Sequence, residues 1–178
     1  MSFPYSLTNF QVLISIVVIQ NLLGYSRPLS LALQSIDCDI VEAHKDARNL
    51  LYVYKQKINS EGFHSLYLRA ESIAKAIGVE PSKPRISNKQ MHRSNAPSNT
   101  VEEYYCRNLF FPFLDHIINS IDSRFSAKLL PVLQGQYLIP SKICNQNPNI
   151  IENIRSDFNS EFPDQANFEQ ELERWVFL

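Results

Sequence analysis

Acid–base and metal chemistry need carboxylates, imidazoles or thiolates that converge, and this chain offers few. Asp37 and Asp39 sit two residues apart, so a helix would turn them to different faces. Asp115 is a single acid within an apolar run. The neighbouring pair Asp115-His116 is tempting, but adjacent residues on a helix point about 100° apart and cannot act together. Asp115 therefore reads as a capping or surface residue. The histidines His44, His64, His92 and His116 show no ligand spacing, and Cys38, Cys106 and Cys144 contain no C-x-x-C pair, which argues against structural zinc. Three widely spaced thiols also argue against a disulfide framework and fit a reducing compartment. No G-x-S-x-G, H-E-x-x-H or phosphate-cradling glycine loop is present. The expectation is a chain that is not an enzyme, with no catalytic residue, no metal and no cofactor.

Phosphate contact is the chemistry that the sequence does allow. Between Pro81 and Asn99 lie three prolines, no acid and four cations, Lys83, Arg85, Lys89 and Arg93, which His92 could join. Their separation would let them follow a nucleic-acid backbone, and such binding would position without reading bases. A solvated loop, its charges in water or against an acidic tail, is the alternative. That tail is real: Glu152 to Arg174 holds seven acids against two bases, while the rest carries 15 bases against 11 acids. A formal net charge of −1 thus hides a basic middle and an acidic end.

The elements that must hold these residues read as helices. Hydrophobic residues at 44% and charged residues at 20% are a globular composition, and 178 residues suit one core plus a ragged tail. Gly24, Gly62 and Gly78 each follow an apolar-periodic stretch, where a left-handed cap would end a helix. A first, buried helix is expected over 10–23. A second, from about Ser26 to Asn59 with Pro28 in its first turn, carries the 4-3-4-3 series Leu29, Leu33, Ile36, Ile40, Ala43, Ala47, Leu50 and Tyr54. That seam would pack on this chain's own helices or on a partner helix, its two alanines permitting close approach. A third helix spans Glu61 to Ile77. Thr100 with Glu103 forms a capping box for a fourth, in which Pro112 predicts a kink near Leu109–Phe111. Residues 127–148 read as loops with a short helical turn, followed by short helices over 149–159 and 167–177. No strand periodicity is visible, so the fold class is all-α: a helical core over 1–125 and a loop-rich acidic tail over 126–178.

Residues 12–19 are apolar but for Ser15, yet the run is shorter than the roughly 20 residues of a membrane span and has no cationic leader ahead of it. A buried core helix is the reading, with no membrane partner, and a location in the nucleus or cytoplasm rather than outside the cell.

Specific motifs then accumulate. K-P-R from Lys83, H-R-S-N-A-P from His92, E-E-Y-Y-C-R-N from Glu102 and F-F-P-F-L-D-H from Phe110 run in order. Upstream stand L-S-L-A-L-Q from Leu29, Asp39-Ile40 and Ala43, and downstream E-L-E-R-W from Glu171. This series resembles the helical region of hAT-superfamily transposase-derived proteins, nearest to the zinc-finger MYM-type-like and repressor of the inhibitor of the protein kinase-like branches. The resemblance covers 10–125 well and the tail loosely.

It implies a ribonuclease-H-like catalytic core with an Asp, Asp, Glu metal-binding triad, interrupted by a large helical insertion that this chain resembles. The two family aspartates would precede Phe10, and the glutamate would follow Leu178, so no catalytic residue carries over. The family's zinc-finger and C-terminal dimerisation segments have no counterpart here. The implied function is a non-catalytic fragment of a domesticated DNA transposase with weak, sequence-independent DNA affinity. A helix-mediated interaction module that binds itself or a full-length relative, without nucleic acid, is the alternative.

Overall fold

The structure is a computed structural model, and it describes residues 9–57, 60–84, 95–143, 147–161 and 164–176. Every regular element among them is helical, and no strand occurs. The order is α1 (Phe10–Leu33), α2 (Ile40–Gln56), α3 (Ser60–Ala76), α4 (Val101–Tyr105), a π-turn (Cys106–Phe110), α5 (Phe111–Arg124), α6 (Leu130–Gln134), α7 (Pro140–Ile143), α8 (Pro148–Asp157) and α9 (Gln165–Val176). Short 3₁₀ turns at Ala127–Leu129 and Gly135–Leu138 flank α6.

One core joins α1, α2, α3, the π-turn and α5. Phe10 stands edge-on to Tyr67 and Tyr105, with ring centroids 5.8 and 5.5 Å apart, and Phe63 meets Phe110 at 5.2 Å. The two edge-on pairs made by Phe10 are an arrangement that the aromatic quadrupole favours. Tyr54 is wholly buried and its hydroxyl donates to the Leu22 carbonyl at 2.7 Å, fastening α2 to α1. His44, 2% exposed, donates from Nε2 to the Ser126 carbonyl at 2.9 Å and so ties α2 to the end of α5. A smaller cluster of Val41, Tyr137 and Ile154 packs the tail against the start of α2.

Two expectations about the first helices are corrected. The chain does not break at Gly24: α1 continues through Pro28 to Leu33. Pro28 lacks the N–H that would reach Gly24, but the Ser26 and Ser30 hydroxyls donate to the carbonyls of Leu23 and Ser26 beside it. At 24 residues α1 is therefore long and apolar enough to cross a membrane by length and composition, which the run at 12–19 was not. Its inner face, from Phe10 to Leu29, is built into the core.

The single rod over Ser26 to Asn59 is the second correction. It breaks between Gln34 and Asp39, where Asp39 takes the N–H groups of Val41 and Glu42 at 2.9 and 3.1 Å and starts α2 afresh. The seam accordingly divides. Leu29, Ala43, Ala47, Leu50 and Tyr54 are buried inside this chain's own core, whereas Leu33, Ile36 and Ile40 lie exposed at the α1–α2 corner, Ile36 at 102%. Gly62 falls in the first turn of α3, so it ends nothing.

Other local readings hold. Gly78, at φ +73°, closes α3 with a Schellman motif, in which Val79 N–H reaches Ala74 O at 2.8 Å and Gly78 N–H reaches Lys75 O at 3.3 Å. The break near Pro112 takes the form of the π-turn directly before it. Widening one turn accommodates a ring that would otherwise press on the preceding turn's carbonyl.

Candidate nucleic-acid interface

The candidate interface is the basic connector, and its two ends are what the structure describes. Of the expected phosphate ligands, Lys83 is described and exposed; Arg85, Lys89, His92 and Arg93 lie outside the described residues. Lys83 is not idle: its Nζ donates to the Ser98 carbonyl at 2.8 Å, joining the connector's entry to its exit.

A set of side chains from the α4–π-turn rod completes this base. The Tyr105 hydroxyl donates to Ser82 O at 2.9 Å and holds the entry strand. On the exit strand, Asn108 engages one residue twice: Ala96 N–H donates to Oδ1 at 2.7 Å, and Nδ2 donates to Ala96 O at 3.3 Å. The same Nδ2 also donates to Tyr104 O at 3.0 Å, within the rod itself. Arg107 donates to Pro97 O at 2.7 Å while its other guanidinium nitrogen pairs with Glu103 at 2.7 Å.

The capping box is a variant of the expected one. Thr100 Oγ1 accepts from Glu103 N–H at 3.1 Å, as predicted, but Glu103 reaches back to Asn99 N–H at 2.7 Å. That backbone hydrogen bond, with the charge of Arg107, holds the Glu103 carboxyl below its ordinary range. Burial, by contrast, pushes the Tyr105 hydroxyl up to about 12, so it stays a donor at any physiological pH.

The motifs that looked like a functional signature thus have a physical job. Lys83, N-A-P and E-E-Y-Y-C-R-N meet at one place, because Lys83, Ala96, Pro97, Glu103, Tyr105, Arg107 and Asn108 tie the two ends of the connector to a single rod. The sequence offers Tyr105, Arg107 and Asn108 as members of E-E-Y-Y-C-R-N, but not as anchors of the connector. Their partners are backbone groups 10 to 23 residues away, and backbone partners leave no residue-type signal.

The segment that leads into the acidic tail is anchored on α2. Asp39, the cap of α2, receives Gln136 Nε2 at 2.6 Å, and Ser126, just past α5, holds His44 of α2. Residues 126–136, which precede the acids of the tail, therefore lie beside the C-terminal end of α5, whereas the connector's base sits at the N-terminal end of the same rod. Fourteen helical residues separate the two, about 21 Å at 1.5 Å per residue. Within the tail, Arg155 pairs with Glu152 and Glu169, drawing α8 and α9 together.

The residues weighed for catalysis do not converge. Asp37, Asp115 and His116 are exposed, Cys38 is half-buried, and Cys106 is buried with its thiol pushed up by that burial. Cys144 lies outside the described residues. Among the described residues no group of three or more His, Cys, Asp or Glu could hold a metal ion.

No protein-family model and no solved structure matches the chain. Two curated proteins do. The chain is 26% identical over 174 residues to the 52 kDa repressor of the inhibitor of the protein kinase of Homo sapiens, and 25% identical over 173 residues to that of Mus musculus. Each alignment takes in 96% of this chain but 23% of the relative, so the chain spans about a quarter of their length.

Proposed function

We propose that this chain is the helical portion of a transposase-derived protein of the hAT type, non-catalytic by itself, whose basic connector rests on the phosphates of nucleic acid in the nucleus. The supporting observation is the clamp: seven residues of the shared-looking motifs fix the ends of a segment with four cations and no acid. A segment so anchored loses less entropy on meeting a ligand than a free one, because part of the ordering has already been done. The alignment to a repressor of the inhibitor of the protein kinase over 96% of the chain supports the relation and a derived, regulatory rather than enzymatic, setting.

Fluorescence anisotropy with a labelled 20-base-pair duplex in low salt tests this reading. Binding should be independent of sequence and should weaken on Arg85→Gln with Arg93→Gln. No binding in low salt, or binding indifferent to both substitutions, rejects it. Plasmid cutting with Mg²⁺ or Mn²⁺ by the pure protein, lost on Asp115→Ala, rejects the non-catalytic part.

A further inference from the structure

α1 does not hold to the core evenly along its length. From Phe10 to Leu22 every turn buries an apolar side chain. The next turn is fastened by α2 and the residue that follows it. The Tyr54 hydroxyl donates to the Leu22 carbonyl at 2.7 Å, the Tyr25 ring stands edge-on to Tyr54 with centroids 6.2 Å apart, and the Lys57 ammonium lies 4.6 Å from the Tyr25 ring centre. Beyond that point the attachment thins. Between Pro28 and Asp37 only Leu29 is buried, while Leu31 and Leu33 are 58% and 43% exposed and Ile36 lies wholly in solvent. The hydrogen bonds of this stretch stay within α1 and its last turn, from Ser30 Oγ to Ser26 O, Gln34 N–H to Leu31 O and Ser35 Oγ to Ala32 O. At Cys38 and Asp39 the chain is held again, the first half-buried against the core and the second capping α2 and accepting from Gln136.

The turn where the attachment thins is also the weakest of the helix. Pro28 has no N–H to give the Gly24 carbonyl, so one rung of the helix ladder is missing between these two residues. A Cβ on Gly24 would meet nothing within 4 Å, so packing does not call for glycine there. Proline and glycine are the two residues that a helix interior favours least, and both stand in this one turn. Ser26 and Ser30 turn their hydroxyls back on the carbonyls of Leu23 and Ser26, which loosens and bends a helix further.

We propose that residues 28–37 are a strap that opens as one unit while the rest of the domain stays folded, hinged between Gly24 and Pro28 and latched by Leu29. Segments that open on their own are those with few buried apolar contacts, and here a single side chain holds the whole stretch. Because both ends are fixed, at Tyr25 and at Cys38 with Asp39, the strap lifts without leaving the domain. Lifting takes Leu29 out of the cluster that it shares with Ala43 and Ala47 of α2 and bares apolar surface that the closed form hides. The device is separate from the basic connector, which is clamped at the N-terminal end of the α4–α5 rod.

Hydrogen exchange of the 178-residue chain in rising but sub-denaturing urea, read residue by residue by NMR, tests this. The amides of Leu29 to Ser35 should exchange as a set, with one opening equilibrium and a weaker urea dependence than the amides of Val17 to Leu22. Pro28→Ala, which restores the missing rung, should slow the set about tenfold or more. Gly24→Ala should slow it about fourfold, and Leu29→Ala should speed it about thirtyfold or more. Exchange that falls off gradually from Ser35 inward is the simple fraying of a helix end and overturns the proposal. So does exchange of the set only together with Val17 to Leu22, or a set indifferent to both Pro28→Ala and Gly24→Ala.

Discussion

Asn108 satisfies both main-chain groups of Ala96, and Tyr105 satisfies Ser82 O, so each side chain stands where a second backbone strand would in a sheet. Replacing Asn108 by Ala leaves the half-buried Ala96 groups without partners. That costs about 1–3 kcal/mol, and in a chain of this size it lowers Tm by several degrees, about 2–4 °C per kcal/mol. Thermal melting checks this, and trypsin should cut the connector faster in Asn108→Ala than in wild type; equal rates would mean that the clamp does not restrain it. Tyr105 adds a pH dependence. Its pKa in the fold, about 12, lies above the value of 10 that it has when exposed. The unfolded chain therefore loses the proton first as pH rises, and the stability linked to Tyr105 is complete below pH 10 and lost on passing through about 12. A difference titration at 295 nm, wild type minus Tyr105→Phe, should show one phenol ionising in that upper range. Ionisation near 10 would contradict it. Residue types pointed to the connector's charges, but the residues that hold it in place were illegible because they bind backbone.

At the scale of elements, legibility followed how local the signal was. The Schellman turn at Gly78, the Thr100 cap and the disturbance ahead of Pro112 are set by residues within one turn, and each was readable. Apolar spacing continues across the break between Gln34 and Asp39, which is why it predicts one rod over Ser26 to Asn59. Its correct signal was present: Asp39-Ile-Val-Glu42 has an N-cap residue with an acid three positions on, the same type of pattern that identified Thr100. Heptad spacing runs straight through this signal, although Ile36, one of the seam's own members, lies wholly in solvent. Asp39 has two tasks. Burial raises its carboxyl pKa, but the N–H groups of Glu42 and Val41, the Gln136 amide and the charge of Lys142 outweigh this and hold it low. Asp39→Ala removes both the cap of α2 and the bond to Gln136. We expect a loss of about 1–2 kcal/mol from the cap, with a lower denaturation midpoint, and faster amide exchange in α6 and α8 than in α3. Asp39→Asn, which still offers an oxygen, should recover most of the midpoint. If Asn fares no better than Ala, capping is not what Asp39 contributes.

At the scale of the whole molecule, what matters is how charge is distributed around the α4–α5 rod. The connector's described ends are held at the N-terminal end of this rod, and Ser126, which leads into the tail, lies just past its C-terminal end. Glu171→Gln with Glu173→Gln tests whether the acids of the tail cover the connector: a rise in DNA affinity at low salt means that they do, and an unchanged affinity that they do not. Lys83 alters the expected response to salt more directly. All four cations on phosphate would give a slope of log affinity against log salt of about −3.6. With the Lys83 ammonium committed to Ser98 O, three remain, and the slope falls to about −2.7. Raising salt from about 50 to 200 mM would then weaken binding roughly 40-fold rather than 150-fold. Each of Arg85→Gln and Arg93→Gln should flatten the slope by about 0.9, while Lys83→Gln should leave the slope alone and lower the melting temperature, because it opens the base of the connector. A slope near −3.6 in the wild type, flattened equally by Lys83→Gln, would show that Lys83 leaves Ser98 for phosphate and that the base opens when nucleic acid binds.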